Sequence, residues 1–452
     1  MIAERRRQLV MGTFDAERFW RDPKLAKLPS IPDPGMEHVV LAMDELLFPF
    51  CSAGDQLITR YRMNDCHIAY LRDIGFAFDS NQADLEVLEG GSASRIANLF
   101  DLVTVTKRIE GIDRQLLEGA QLSPFAVIPG VDRVAAEYGL HANFPAADTV
   151  RHVNSKLFSA ELNRRLGYMS DSRTVYSSEE LLAEGLALLQ HGTFLIKDEF
   201  GVSGKGNLLI ESETILRRIA SYLEEQGKRG KEVRFIIEPF LHKELDFSCQ
   251  FYIEEDGTYR LIAVQQLRNA HFAYLGSFTA DAALLDMLRD AGYFDQMKQV
   301  ARELYNAGYY GDVCVDSMLL QGGRIVPVVE VNARRSMSLI KHHIDLYLER
   351  HSATGSMTHA TVHFAHDCSF EQLLAAFERE GILYTPDRAM GVLPLSANTL
   401  FINKMISKSR GERNKAVKGR LYFSIVSRQG DDEPLLAQTR AVLEGLSFRV
   451  VG

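Results

Sequence analysis

Residues 313–319 and 325–331 are short apolar runs parted only by a few residues around Gly322-Gly323. Glycines tolerate the left-handed backbone of a tight turn, so the two runs are predicted to pair as an antiparallel hairpin. Residues two apart on a strand share a face, which projects Glu330 and Asn332 together and sets Asp316 opposite them. Three hard oxygen donors from adjacent strands, with room for water and phosphate, suit magnesium rather than zinc. A solvated sheet face with incidental acids is the other reading of this cluster taken alone. Arg334 and Arg335 follow directly. Beside a metal site, a guanidinium grips a carboxylate or phosphoryl oxygen through paired hydrogen bonds; elsewhere it is an ordinary surface arginine.

The stretch before this hairpin carries its own punctuation. Asn154 is placed to cap a helix running to Leu166, with Gly167 as its stop, and Lys156 lies in its first turn. Ser177 and Glu180 have capping-box spacing before a second helix that ends at Gly192. A short strand, 193–197, then closes on Lys197, a residue poorly suited to a buried strand end unless an anion meets it. Gly201, Ser203, Gly204, Lys205 and Gly206 form a small-residue loop before another strand, 207–210. Strand, loop, strand is a hairpin flap, not the strand-loop-helix of a dinucleotide fold, and Gly206 after Lys205 excludes a Walker A loop. Such backbone can close over phosphates, or it can be a plain turn. Further strands are predicted at 233–238, 247–253 and 259–265, the last pair joined by Asp256-Gly257, with a helix over 295–307. Glu238-Pro239-Phe240-Leu241 is where the first of these leaves its sheet, exposing backbone able to read an adenine edge; Asp246 is placed to accept from ribose hydroxyls.

Size and composition bound the rest. A chain of 452 residues exceeds one ordinary core, and 46% hydrophobic with 25% charged residues is a folded composition. A net charge of -9 argues against a nucleic-acid partner, which needs a basic face. Five scattered cysteines without a CxxC pair argue against a disulfide framework or structural zinc. No apolar stretch approaches a membrane span and no secretory leader is visible, so a cytoplasmic location is expected. Residues 1–150 are expected to form a leading α/β domain, with strands at 38–43, 55–60 and 102–106 and a helix at 65–74; 356–452 are expected to form a trailing α+β domain. The latter contains a basic run, Lys404, Lys408, Arg410, Arg413, Lys415, Lys418 and Arg420, either a solvated segment or a face for an acidic partner.

Taken in order, Lys156, Lys197 with its glycine flap, Glu238-Pro239-Phe240-Leu241, Asp246, and Asp316 followed by Glu330-x-Asn332-x-Arg334 resemble the ATP-grasp superfamily over residues 151 to about 345. The resemblance implies an ATP-grasp domain over 151–355, with two subdomains hinged near 238–241. It implies that Lys156, Lys197 and the 201–206 loop meet ATP phosphates, that Glu238, Phe240 and Leu241 hold adenine, and that Asp246 holds ribose. Asp316, Glu330 and Asn332 would take Mg2+. Where D-alanine ligases place an arginine two residues before the first metal acid, this chain has Cys314, so the oxyanion role is left to Arg268, Arg334 or Arg335. The implied activity is ATP-dependent ligation: a carboxylate of an amino acid or small peptide becomes an acyl phosphate and is passed to an amine. The flanking domains resemble those of natural-product peptide ligases. A carrier-protein thiol as acceptor, a kinase on the same fold and a sensor without turnover are the rival readings. A homodimer is compatible with all of them.

Overall fold

The computed structural model describes residues 5–86, 98–106, 109–168, 171–202, 205–270, 273–388, 390–412, 414–427 and 432–451, with no side-chain description at Val202 and Lys205. Three sheets organise the molecule. The first is parallel, with β1 (Gln8–Met11), β2 (Gln56–Leu57), β3 (Asp79–Ser80) and β4 (Gln121–Pro124) in the order β3-β2-β1-β4. The second is antiparallel, with β5 (Arg173–Val175), β6 (Phe194–Val202), β7 (Lys205–Ile210) and β8 (Phe235–Pro239) in the order β5-β8-β6-β7.

The third sheet has nine strands. They are β9 (Lys243–Ile253), β10 (Tyr259–Ala270), β11 (Ala273–Thr279), β12 (Gly311–Leu320), β13 (Ile325–Asn332), β14 (Thr354–Phe364), β15 (Gly391–Pro394), β16 (Val417–Ser427) and β17 (Arg449–Val451). Their order is β13-β12-β9-β10-β11-β14-β16-β15, with β17 on β14. The trailing strands β14 to β17 thus extend the sheet that carries the predicted 313–331 hairpin, rather than forming one of their own.

Two of the predicted strands are helical instead. Residues 38–43 fall in helix Pro34–Leu41 and the 3-10 turn Met43–Phe50, and 102–106 fall mostly in helix Leu99–Val105. Both runs are β-branched and apolar, but each follows a strong start signal. Asp33 accepts from the Met36 N–H ahead of Pro34, and Asn98 accepts from the Asp101 N–H. Capping and burial decide over intrinsic strand preference.

Burial divides the described residues into one large core, a satellite under the second sheet, and a small cluster that includes Val39, Leu41, Tyr61, Ile402 and Ile406. The large core joins the first and third sheets and includes Val10, Leu57, Phe247, Val315 and Ile344. The second sheet has its own: Phe194, Ile196, Phe235 and Ile237 pack on Leu181 and Leu188 of helix Ser178–Leu189 and on Leu216 and Leu223 of helix Glu213–Lys228. The cleft between the two cores is bounded by β6, β7, β8, β9, β12 and β13. The described residues include no helix long and apolar enough to cross a membrane.

Candidate active site

The hairpin β12–β13 forms with Asp316 directly opposite Glu330 and Cys314 opposite Asn332. Asn332 Nδ2 donates to Asp316 Oδ2 at 3.0 Å, and Arg334 Nη2 donates to Asn332 Oδ1 at 3.1 Å. Burial, reinforced by the neighbouring Glu330 charge, pushes the Asp316 carboxyl up to about 7. Among the described residues no lysine or arginine lies within ion-pair range of Asp316. Two adjacent carboxylates and an amide oxygen are a donor set that fits a hard divalent cation. No cluster of three His, Cys, Asp or Glu side chains occurs among the described residues, so the neutral amide is integral to this set.

Lys197 lines the cleft, while Lys156 reaches its edge through two lining residues, Glu330 and Gly201. Helix Lys156–Leu166 is capped by Ser155, which accepts from the Phe158 N–H; Asn154, expected to be the cap, does something else. Its amide donates to the Ala333 carbonyl at 3.1 Å and accepts from the Ala333 N–H at 3.0 Å, clamping the helix start to the chain just after β13. Lys156 Nζ thereby lies 2.7 Å from Glu330 Oε1 and 2.9 Å from the Gly201 carbonyl. On β6, Lys197 pairs with Glu238 of β8. Both lysines are buried.

Lys197, Gly201, Glu238, Phe240, Leu241, Asp246, Asp316, Glu330, Asn332 and Arg334 line one cavity of 280 Å³. Asp246 there accepts from Asn269 Nδ2 at 2.8 Å and pairs with Lys243. Gly206 turns the flap at φ +105°, against Gly201. Ser203 and Gly204 lie outside the described residues, as does the Lys205 side chain.

The three candidate arginines part company. Arg268 is not in the cleft: on β10 its neighbours Leu267 and Asn269 face the cavity, and alternation turns Arg268 away, 5.0 Å over the Phe278 ring. Arg335 faces a second, larger cavity, where it donates to Ser123 Oγ at 2.7 Å and stacks 4.2 Å over Phe50. Arg334 lines both cavities. Glu17 holds it in place, accepting from Nε at 3.1 Å and Nη2 at 2.6 Å. Cys314 is buried, its thiol pushed up to about 12 by burial and the Asp316 charge; it stands there as a neutral group where an arginine would bring a cation.

No established family profile matches the chain. By sequence it is 25% identical over 311 residues to the [butirosin acyl-carrier protein]–L-glutamate ligase of Niallia circulans, covering 68% of this chain and 67% of that one. Among solved structures, the N5-carboxyaminoimidazole synthase of Aspergillus clavatus, bound to ADP and 5-aminoimidazole ribonucleotide, superposes with a TM-score of 0.50 at 12% identity, over 86% of this chain and 98% of the other. The biotin carboxylase of Campylobacter jejuni, in complex with β-γ-ATP, does so with a TM-score of 0.50 at 11% identity, over 99% and 92%. The chain shares the fold of these nucleotide-bound enzymes.

The contacts that sequence reasoning missed are those made at long range. Glu17 lies 317 positions from Arg334, and Asn154 lies 179 from Ala333. Neither belongs to a motif, and no periodicity announces either. The basic run is dispersed by the fold. Lys404 is buried and donates to the Ala365 carbonyl, Lys408 pairs with Asp367 at 2.9 Å, Lys415 with Glu412 at 2.9 Å, and Lys418 with Asp33. Arg420 lies over Tyr422, and Arg413 lies outside the described residues. Among the described residues of the run, the four lysines are therefore already partnered.

Proposed function

We propose that this chain is an ATP-grasp ligase that binds MgATP in the 280 Å³ cleft and converts a carboxylate into an acyl phosphate that an amine then attacks. The observation that carries this reading is Arg334, shared by the cleft that holds the acid, amide and lysine set and a second cavity large enough for the carboxylate. Lys156 and Lys197 hold the ATP phosphates, and the flap from Gly201 to Gly206 covers them. Glu238, Phe240 and Leu241 meet adenine, and Asp246 the ribose. Asp316, Glu330 and Asn332 hold Mg2+, which supplies charge neutralisation for the phosphates.

Chemistry follows from placement. A carboxylate oriented by Arg334 attacks the γ-phosphorus; the bond to the β-γ bridging oxygen breaks, and ADP leaves. The acyl phosphate forms under the flap, away from water. Arg334 stays on the acyl oxygen as the nucleophile adds and phosphate departs. The relative of Niallia circulans, named for an acyl-carrier protein and L-glutamate, supports a second reading in which a carrier-protein thiol is the acceptor.

Incubation with ATP, Mg2+ and pooled amino acids, followed by hydroxylamine, tests the step. Hydroxamate with stoichiometric ADP is expected. ADP accompanied by a stable phosphorylated product would indicate a kinase, and no ADP release would indicate a sensor.

A further inference from the structure

The second cavity, of 930 Å³, has a floor and a mouth of different character. Helix Met337–Glu349 forms one wall with Leu339, His342, His343, Leu346, Tyr347 and then Arg350, a stripe at i, i+3, i+4, i+7, i+8 and i+11. Eleven residues of helical rise make that wall about 16 Å long. Its start is buried beside Arg334 and Arg335, whereas Leu346 and Arg350 are exposed. The cavity therefore runs from the phosphoryl-transfer end at Arg334 out to solvent at Arg350.

Charge along this channel is lopsided. Arg5, Arg260, Arg334, Arg335 and Arg350 line it against one acid, Asp312, although the chain as a whole carries -9. At the floor the guanidiniums are already engaged, Arg334 by Glu17 and Arg335 by Asp312 at 3.4 Å. The solvent end is less compensated. Arg5 is paired with Asp55, but Arg260 meets Glu254 only at 3.5 Å with both exposed, and Arg350 has no ion-pair partner among the described residues. The channel's histidines do not change this balance, since burial holds His342 low and pushes His343 down to about 3.

Resting on the ligase reading above, we propose that the channel takes an extended substrate whose reacting group reaches Arg334 while an anionic group at its far end is held by Arg350 and Arg260. Two sources offer that chemistry: a phosphopantetheine arm, with thiol and phosphate at opposite ends, and a long free dicarboxylate. A guanidinium fork binds either anion through charge-assisted hydrogen bonds.

Calorimetry without ATP, using ligand pairs of matched length that differ only in the distal anion, tests this. The pairs are 4′-phosphopantetheine against pantetheine, and a twelve-carbon dicarboxylate against the monocarboxylate of the same chain length. In the wild-type protein at least one anionic partner is expected to bind about tenfold more tightly than its neutral-ended twin. The pair that shows it names the source. Arg350→Ala combined with Arg260→Ala should erase the difference while the melting temperature stays unchanged, both side chains being exposed. Equal binding within both pairs overturns the proposal, as does a preference that survives in the double variant. Because no turnover is read, absent ADP release would overturn the ligase reading and leave this result interpretable.

Discussion

At the residue scale, the cleft works through pairs that no single side chain could replace. Glu330 is read as a metal ligand while it also accepts from Lys156, so Glu330→Gln removes one charge from each partnership. ADP release in a coupled assay is expected to fall by about 100-fold or more, with the fold intact by circular dichroism. Arg334 presents a sharper case. Arg334→Lys keeps the positive charge but cannot span Glu17 and Asn332 together, so kcat/KM for the carboxylate is expected to drop about 100-fold. A lysine that retained full activity would show that charge alone suffices there.

At the element scale, the β6–β7 flap depends on a backbone that only glycine adopts freely. A Cβ on Gly206 would sit 3.0 Å from Asp198 Cβ and 3.1 Å from Gly201 Cα, at a φ of +105°. Gly206→Ala is expected to cost the flap about 1–3 kcal/mol and to appear as a raised KM for ATP, with little change in melting temperature. The flap belongs to the satellite core, so its distortion need not reach the large one. This scale is also where sequence reading succeeded and failed. The 313–331 hairpin was legible because turn glycines and apolar runs act locally; a strand through Lys197 was too, although β6 runs on to Val202 instead of closing at the lysine. The strand readings at 38–43 and 102–106 failed because Asp33 and Asn98, a few residues upstream, redirect the chain into helix. Arg268 was misplaced for a different reason: it lies on the right strand but on the wrong face, and register is set by pairing partners that a sequence does not display.

At the scale of the whole molecule, the two ends of the chain are stitched together by a buried acid. Glu45 accepts from the Ala397, Asn398 and Thr399 N–H groups at 2.9 to 3.1 Å, occupying the start of helix Asn398–Ser409. Burial nevertheless pushes its carboxyl up to about 7, the three backbone bonds opposing this only in part. A raised folded-state value means that the native state keeps a proton the unfolded chain has lost. The stabilisation is full below about 4.5 and declines as pH rises through about 7. Glu45→Gln keeps an acceptor while removing the titration, so thermal unfolding followed from pH 4.5 to 7 should slope less steeply downward in the variant. Identical slopes would mean that Glu45 is already ionised when buried.

The cleft is electrically self-sealed. Lys156 already holds Glu330, and Lys197 already holds Glu238. On the proposed reading, incoming triphosphate would win each ammonium from a resident carboxylate, a swap of partners with small net heat. Magnesium arriving alone would have to dislodge Lys156 unaided, whereas nucleotide draws the lysine away and frees the oxygen in the same event. Ion and nucleotide should consequently bind as one synergistic unit, each tightening the other's hold by an equal factor.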